Sequence, residues 1–145
     1  MEFQNLKYII DEHLEIFKNI SEADWNYKPS ENKWSKKEIL GHLCDSAITN
    51  LRRFVVTQYK ENENIVYEQD FWVKAQNYQQ VNHDEIIQLW KFLNYQIVNV
   101  VENIPTEALQ KTVDVSKIEK NIVTLGFVVE DYIPHMLHHL EAIKR

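Results

Sequence analysis

Four separate segments of this chain repeat apolar side chains at the spacing of an amphipathic α-helix, and this pattern limits the chain to a helical fold. We predict helices near residues 3–20, 36–60, 84–103 and 124–143. The third has the cleanest apolar stripe, which comprises Ile86, Leu89, Trp90, Leu93, Ile97, Val100, Val101 and Ile104. The 145 residues include only two glycines and three prolines, too few for the many tight turns of an all-β chain. The sequence therefore predicts an all-α four-helix bundle, formed as a single domain over residues 1–145.

Helix starts can be placed from capping residues. Ser35 and Glu38 form an S-x-x-E capping box ahead of an apolar run, so the second helix is expected to begin near residue 36. Asp84 and Thr124 are the expected N-caps of the third and fourth helices. The linker 21–32 and the polar segment 111–123 are expected to be irregular. Residues 61–83 form a long crossover between helices two and three, in which a short helix near residues 71–78 is expected.

Pro134 lies inside the fourth helical segment. A proline in a helix interior removes one backbone hydrogen bond and kinks the helix. The alternative is a helix that begins later and places Pro134 in its first turn. The apolar stripe continues from Leu125 to Ile143, which favours one kinked helix.

Charge and cysteine content exclude several classes of function. The formal net charge is −6, which argues against nucleic acids and anionic membranes as partners. No apolar run is long enough to span a bilayer, and the N-terminal segment does not resemble a signal peptide. The single cysteine, Cys44, rules out an internal disulfide, fits a reducing cytoplasm and is expected to be a buried thiol.

Three of the six histidines lie within five residues of the last predicted helix. His135 and His139 are four residues apart, so their rings lie one above the other on one face and could share a divalent metal ion. His138 falls on the polar side of the same helix. Histidines near a helix C-terminus also interact favourably with the helix dipole, and the pair considered alone favours this alternative.

Other polar residues interrupt or border the apolar stripes. His42 lies about 60° outside the apolar arc of helix two at helical spacing. It heads a polar row with Ser46, Thr49 and Arg53, and periodicity alone would allow it to be solvated. His13 lies within the stripe of helix one, where it is either a hydrogen-bonded core residue or part of a site wall. Asn94 on helix three is a second candidate for a polar cavity wall.

Three parts of the chain resemble a known family. Residues 34–42 (WSKKEILGH) fit a W-S-x-x-E-x-x-x-H signature, residues 71–73 place a tryptophan in the crossover, and residues 135–139 read HMLHH. In this order, the motifs resemble the DinB/YfiT-like superfamily. The resemblance implies a four-helix bundle, often dimeric, with a divalent metal bound by His42, His135 and His139 and not by His138.

The resemblance also implies a function. Members include S-transferases that use low-molecular-weight thiols such as bacillithiol or mycothiol, and metal-dependent hydrolases, so a small-molecule substrate is expected. Three neutral histidines leave a coordination position open, as in catalytic sites, and suit Zn, Ni, Fe or Cu. Asp131, and more weakly Asp45, could accept a hydrogen bond from a ligand histidine.

Two alternatives come from other classes of function. One is a stress-associated bundle that binds metal or a small ligand without turnover, and the other is a structural protein with incidental histidines. Met136 stands where the zinc-protease motif H-E-x-x-H has its glutamate, which argues against peptidase chemistry.

Overall fold

The structure is a computed structural model that describes residues 2–145, with side chains from residue 3 onwards. Over these residues the α-helices are α1 (Leu6–Phe17), α2 (Glu22–Asn26), α3 (Lys36–Val56), α4 (Gln69–Ala75), α5 (His83–Glu102) and α6 (Leu125–Lys144). Short 3-10 helices cover Glu2–Asn5, Tyr78–Gln80 and Thr106–Gln110. Strands β1 (Thr112–Asp114) and β2 (Ile122–Thr124) form one antiparallel pair.

The long helices α1, α3, α5 and α6 form the predicted four-helix bundle. Helix α3 packs against both α5 and α6, and α1 packs against α5. The largest fully buried side chains come from all four helices and from α2, and include Leu6, Ile10, Trp25, Leu40, Phe54, Trp90, Ile97, Leu125, Ile133 and Met136. The all-α fold class is confirmed.

Two of the predicted caps are confirmed. The Ser35 side chain accepts a hydrogen bond from the Glu38 backbone N–H at 3.2 Å, and the Glu38 carboxylate accepts one from the Ser35 N–H at 3.1 Å. The Thr124 side chain accepts a bond from the Phe127 N–H at 3.1 Å. Each cap satisfies N–H groups that have no partner inside the helix.

The third predicted cap is wrong. The side chain of Asn82 accepts a hydrogen bond from the Asp84 backbone N–H at 2.8 Å, and α5 begins at His83. Asp84 is therefore in the first turn, where its charge complements the helix dipole. The other boundaries differ by a few residues: α1 follows a 3-10 turn at Glu2–Asn5, and α3 ends at Val56 rather than near residue 60.

Two segments that were expected to be irregular contain regular structure. The linker 21–32 includes α2, which the buried Trp25 fixes to the core. The segment 111–123 contains β1 and most of β2, with Val113 opposite Val123. In the crossover, α4 spans Gln69–Ala75, close to the expected short helix.

The hairpin also holds the crossover in place. The backbone N–H of Asn62 donates to the Thr112 carbonyl at 2.8 Å, and that of Ile65 donates to the Asp114 carbonyl at 3.0 Å. Through these bonds the chain after α3 is aligned along β1. As a result, residues 65–67 lie over the polar row of α3.

Helix α3 is buried over more of its surface than its apolar stripe predicts. The polar residues His42, Ser46 and Thr49 are all buried. Part of the cover over His42 comes from Tyr67 of the crossover, and part from Trp34 and His139. By contrast, the apolar residue Val55 near the end of the same helix is 43% exposed.

Helix α6 runs without interruption through Pro134, so the single-helix interpretation is confirmed. The side-chain amine of Lys36, at the start of α3, donates a hydrogen bond to the carbonyl of Ile143 near the end of α6. This contact and the helix packing bring the histidines of α6 against α3. Within residues 2–145, each helix is too short or too polar to cross a lipid bilayer.

Candidate metal centre

His42, His135 and His139 come together where α3 packs against α6. One ring nitrogen from each lies within 4.8 Å of the other two, close enough for one ion to contact all three after small side-chain rotations. The ring centroids of His42 and His139 are 4.7 Å apart, and those of His135 and His139 are 4.8 Å apart. The structure thus groups the three histidines that the sequence and the family resemblance selected.

His42 is completely buried, although the helical pattern placed it outside the apolar arc. Its Nδ1 is 3.5 Å from the hydroxyl of Tyr67, at the limit of a hydrogen bond. Its Nε2 is buried and has no hydrogen-bond partner among the described residues. Because buried polar atoms nearly always have a partner, this orphaned nitrogen fits a metal ligand whose ion is supplied from outside the chain.

The electrostatics favour neutral imidazoles. Burial, followed by the nearby His139 and His135, lowers the pKa of His42 to about 3. Burial, followed by His135 and His138, lowers the pKa of His139 to about 4. Burial also lowers the pKa of His135, against the opposing effect of Asp131. At neutral pH each ring therefore keeps a lone pair, as metal ligation requires.

His138 is outside the converging set, although its ring centroid lies 5.3 Å from that of His139. The His138 side chain is exposed. This is the placement expected from the helical spacing, with His138 on the polar side of α6.

Aromatic side chains surround His42. The half-buried ring of Trp34 lies 4.9 Å from the His42 ring, centroid to centroid, and that of Tyr67 lies 6.4 Å away. Burial, followed by Asp45, raises the pKa of Tyr67 to about 12. Tyr67 therefore stays protonated at neutral pH and can donate a hydrogen bond.

A small cavity of about 160 Å³ adjoins His135. It is mostly polar and is lined by Ser46, Asn50, Arg53, Tyr67, Gln69, Val128, Asp131, Tyr132 and His135. Asp131 contributes the carboxylate of this lining. No hydrogen bond between Asp131 and His135 is present among the described residues, so its predicted role as the partner of a ligand histidine stays a prediction.

Asp45 has other partners. Its Oδ1 accepts hydrogen bonds from the hydroxyl of Tyr78, at 2.7 Å, and from the side-chain amide of Gln76. Burial raises the pKa of Asp45, and these two bonds lower it. The carboxylate thus ties α3 to the segment after α4, and no hydrogen bond joins it to a histidine of the cluster in the described part of the chain.

His13 and Asn94 lie in the core, away from the centre. The Nδ1–H of His13 donates to the Ile9 carbonyl at 2.7 Å, its Nε2 has no hydrogen-bond partner among the described residues, and His13 lies outside the converging group of histidines. The Asn94 amide donates to the Trp90 carbonyl at 2.8 Å and accepts from the Tyr132 hydroxyl at 2.5 Å. Neither residue lines the cavity beside His135.

Sequence reasoning missed two residues of this site. Arg53 had a visible signal, because it belongs to the polar row that starts at His42. Tyr67 had none, because the crossover has no periodicity that would place one of its side chains over α3.

The bundle and its three-histidine cluster have the arrangement from which helical proteins build metal sites between facing helices. The family model of the DinB superfamily matches residues 6–143. The chain therefore belongs to the DinB superfamily, as its motifs suggested.

Solved structures that share the fold include two from Bacillus subtilis. One is YfiT from Bacillus subtilis, which is described as a probable metal-dependent hydrolase with an unusual four-helix bundle topology. It matches with a TM-score of 0.86 and 17% sequence identity, and the match covers 97% of this chain and 81% of YfiT. YjoA, a DinB-like protein from Bacillus subtilis, matches with a TM-score of 0.62 and 20% identity, covering 99% of this chain and 88% of YjoA. A search of curated proteins found no match.

Proposed function

We propose that the protein is a metal-dependent enzyme whose divalent ion is bound by His42, His135 and His139. The observation that carries this proposal is the convergence of three ring nitrogens, one each from His42, His135 and His139, within 4.8 Å of one another. Burial keeps all three rings neutral. His42 and His13 each have a buried Nε2 without a hydrogen-bond partner among the described residues, but only His42 belongs to the converging group. The description of YfiT as a probable metal-dependent hydrolase supports the same assignment.

The residues of the site suit activation of a small nucleophile. A divalent ion at this position would act as a Lewis acid that lowers the pKa of a water or a thiol. With Nε2 of His42 as the ligand atom, its Nδ1–H would donate to the Tyr67 hydroxyl oxygen, which lies 3.5 Å away at the limit of a hydrogen bond. Asp131, on the wall of the adjoining cavity, would accept the proton that the nucleophile loses.

The nucleophile distinguishes two reactions at this one site. Water would make the protein a hydrolase, as YfiT is described, and a low-molecular-weight thiol would make it an S-transferase. The all-imidazole donor set is compatible with Zn, Ni or Fe, so the metal must be measured.

Metal titration of matched histidine variants tests the ligand assignment. His42→Ala and His139→Ala should each lose most of the metal affinity, because each removes one of three ligands. His13→Ala and His138→Ala are the controls, one from the core and one from the surface of α6, and should bind as the unchanged protein does. Metal content is read by elemental analysis of protein purified without an affinity tag.

Two results would contradict the assignment. If His42→Ala retains the metal, α3 does not supply a ligand. If His138→Ala and His139→Ala lose metal equally, the ligands from α6 are not the i, i+4 pair His135 and His139. If metal binds as proposed, an activity screen distinguishes an enzyme from a metal-binding bundle without catalysis. The screen uses thiols combined with electrophiles, and separately hydrolysable substrates. An enzyme would show turnover that is lost when a chelator removes the metal and is restored when metal is added.

A further inference from the structure

The cavity beside His135 contains a positively charged group, Arg53, that has no carboxylate at ion-pair distance among the described residues. Arg53 is half-buried on the cavity wall. Burial lowers the pKa of Arg53, while Tyr67 and Asp131 raise it. A guanidinium remains charged in proteins, so the cavity contains a permanent, partly desolvated cation.

Neighbouring groups hold this cation in position. The Nε–H of Arg53 donates to the Ile65 carbonyl at 2.9 Å, and one Nη1–H donates to the Asn50 side chain at 3.4 Å. Asn50 is itself fixed by its bond to the Ser46 carbonyl at 2.9 Å. An arginine has five N–H donors in a planar fork, so donors remain for a ligand.

We infer that Arg53 binds the carboxylate of a small-molecule substrate in this cavity, with the reacting end of that substrate directed towards His135. The inference rests on the proposed function for the reaction itself. A guanidinium fork matches a carboxylate in geometry and charge, and the resulting pair of hydrogen bonds is among the strongest in proteins.

The size and charge of the cavity define the substrate class. A volume of about 160 Å³ is that of roughly five water molecules, which suits a short carboxylic acid. The Asp131 carboxylate lies on the same cavity wall as His135 and repels anions. It therefore directs a carboxylate towards Arg53.

Titration with propionate and propionamide tests the inference. The two probes have nearly the same shape and differ in charge, and binding is followed by chemical-shift changes in NMR spectra of the protein. Propionate should bind about tenfold or more tightly than propionamide, because only propionate forms charge-assisted hydrogen bonds. Arg53→Gln should remove this difference, and Arg52→Gln should preserve it, since the neighbouring Arg52 is exposed and absent from the cavity lining.

The titration is performed on metal-free and on Zn²⁺-loaded protein. Propionate binding that depends on Arg53 without metal supports the carboxylate site even if the proposed metal chemistry fails. Propionate binding that requires Zn²⁺ and is unchanged in Arg53→Gln would show a carboxylate bound to the ion alone and would overturn the inference. Equal affinity for the two probes, or tighter binding of inorganic phosphate than of propionate, would overturn it as well.

Discussion

His42 shows what a helical wheel omits. The wheel compares the residues of one helix with one another, and by that comparison His42 belongs to a polar row. Its burial comes from groups outside α3. The rings of His139 on α6 and of Trp34 lie 4.7 and 4.9 Å from the His42 ring, and that of Tyr67 in the crossover lies 6.4 Å away. A polar residue outside an apolar arc can therefore be fully buried when other segments cover it.

The buried histidines should make the metal-free protein sensitive to acid. The pKa of His42 is about 3 in the folded chain, against an ordinary value of 6.5. Between these two values the unfolded chain binds a proton that the folded chain does not, so the free energy of unfolding falls as the pH falls below about 6.5. For one such group, the free energy of unfolding changes by up to about 1.4 kcal/mol per pH unit.

Urea unfolding of chelator-treated protein at several pH values between 7.5 and 5 measures this slope. His42→Gln, which cannot titrate, should give a flatter dependence, and His138→Gln should keep that of the unchanged protein. An equally steep dependence in His42→Gln would show that other groups cause the acid sensitivity.

The residues of the site differ in how far sequence predicts them. The i, i+4 spacing selects His135 and His139 without any structure, because helical geometry alone determines that they are neighbours. His42 depended on the family resemblance, since its burial is a tertiary effect. The sequence placed Arg53 only in a polar row of α3 and did not assign it to the site. The position of Tyr67 could not be predicted, because it lies in a segment without helical or strand periodicity.

At the scale of elements, the four long helices were predictable because each has its own apolar stripe and two have unambiguous caps. The short elements were not. The hairpin strands contain three residues each, too few to show a period, and α2 contains five. These pieces are fixed by long-range hydrogen bonds and by a single buried side chain, Trp25.

Gly41 on α3 allows the segment after α4 to approach the helix. A Cβ atom at this position would lie less than 3.0 Å from three carbons of the Tyr78 ring. Gly41→Ala should therefore displace Tyr78, weaken its hydrogen bond to Asp45 and lower the free energy of unfolding by about 1–3 kcal/mol, the usual cost of overpacking.

Gly126→Ala is the matched control for this prediction. At Gly126 the nearest atom to an added Cβ is the Leu109 carbonyl oxygen at 3.4 Å, which is an ordinary contact. Stability should stay the same or rise by up to about 1 kcal/mol, because alanine favours the helix. Chemical denaturation compares the two variants, and a Gly41→Ala protein as stable as Gly126→Ala would show that Tyr78 does not pack tightly on α3.

For the whole molecule, a metal that binds only the folded chain should stabilise it. At a free metal concentration about 100 times Kd the gain is about 2.7 kcal/mol, which raises Tm by several degrees for a chain of this size. Thermal unfolding with Zn²⁺ and with a chelator measures the difference. His139→Ala should lose the metal-dependent rise in Tm and His138→Ala should keep it; a rise of the same size in both would place the stabilising metal elsewhere.

The candidate metal site joins two helices, α3 and α6, that are far apart in the sequence, and this separation has a consequence for folding. His42 is roughly 95 residues from the α6 histidines, and bringing such distant segments together has an entropic cost that packing must first offset. Helix α3 can form early, because its capping box is local, but its histidine meets the other two only when α6 docks. Ion capture is therefore expected among the last events of folding, and intermediates without docked α6 should not retain the ion.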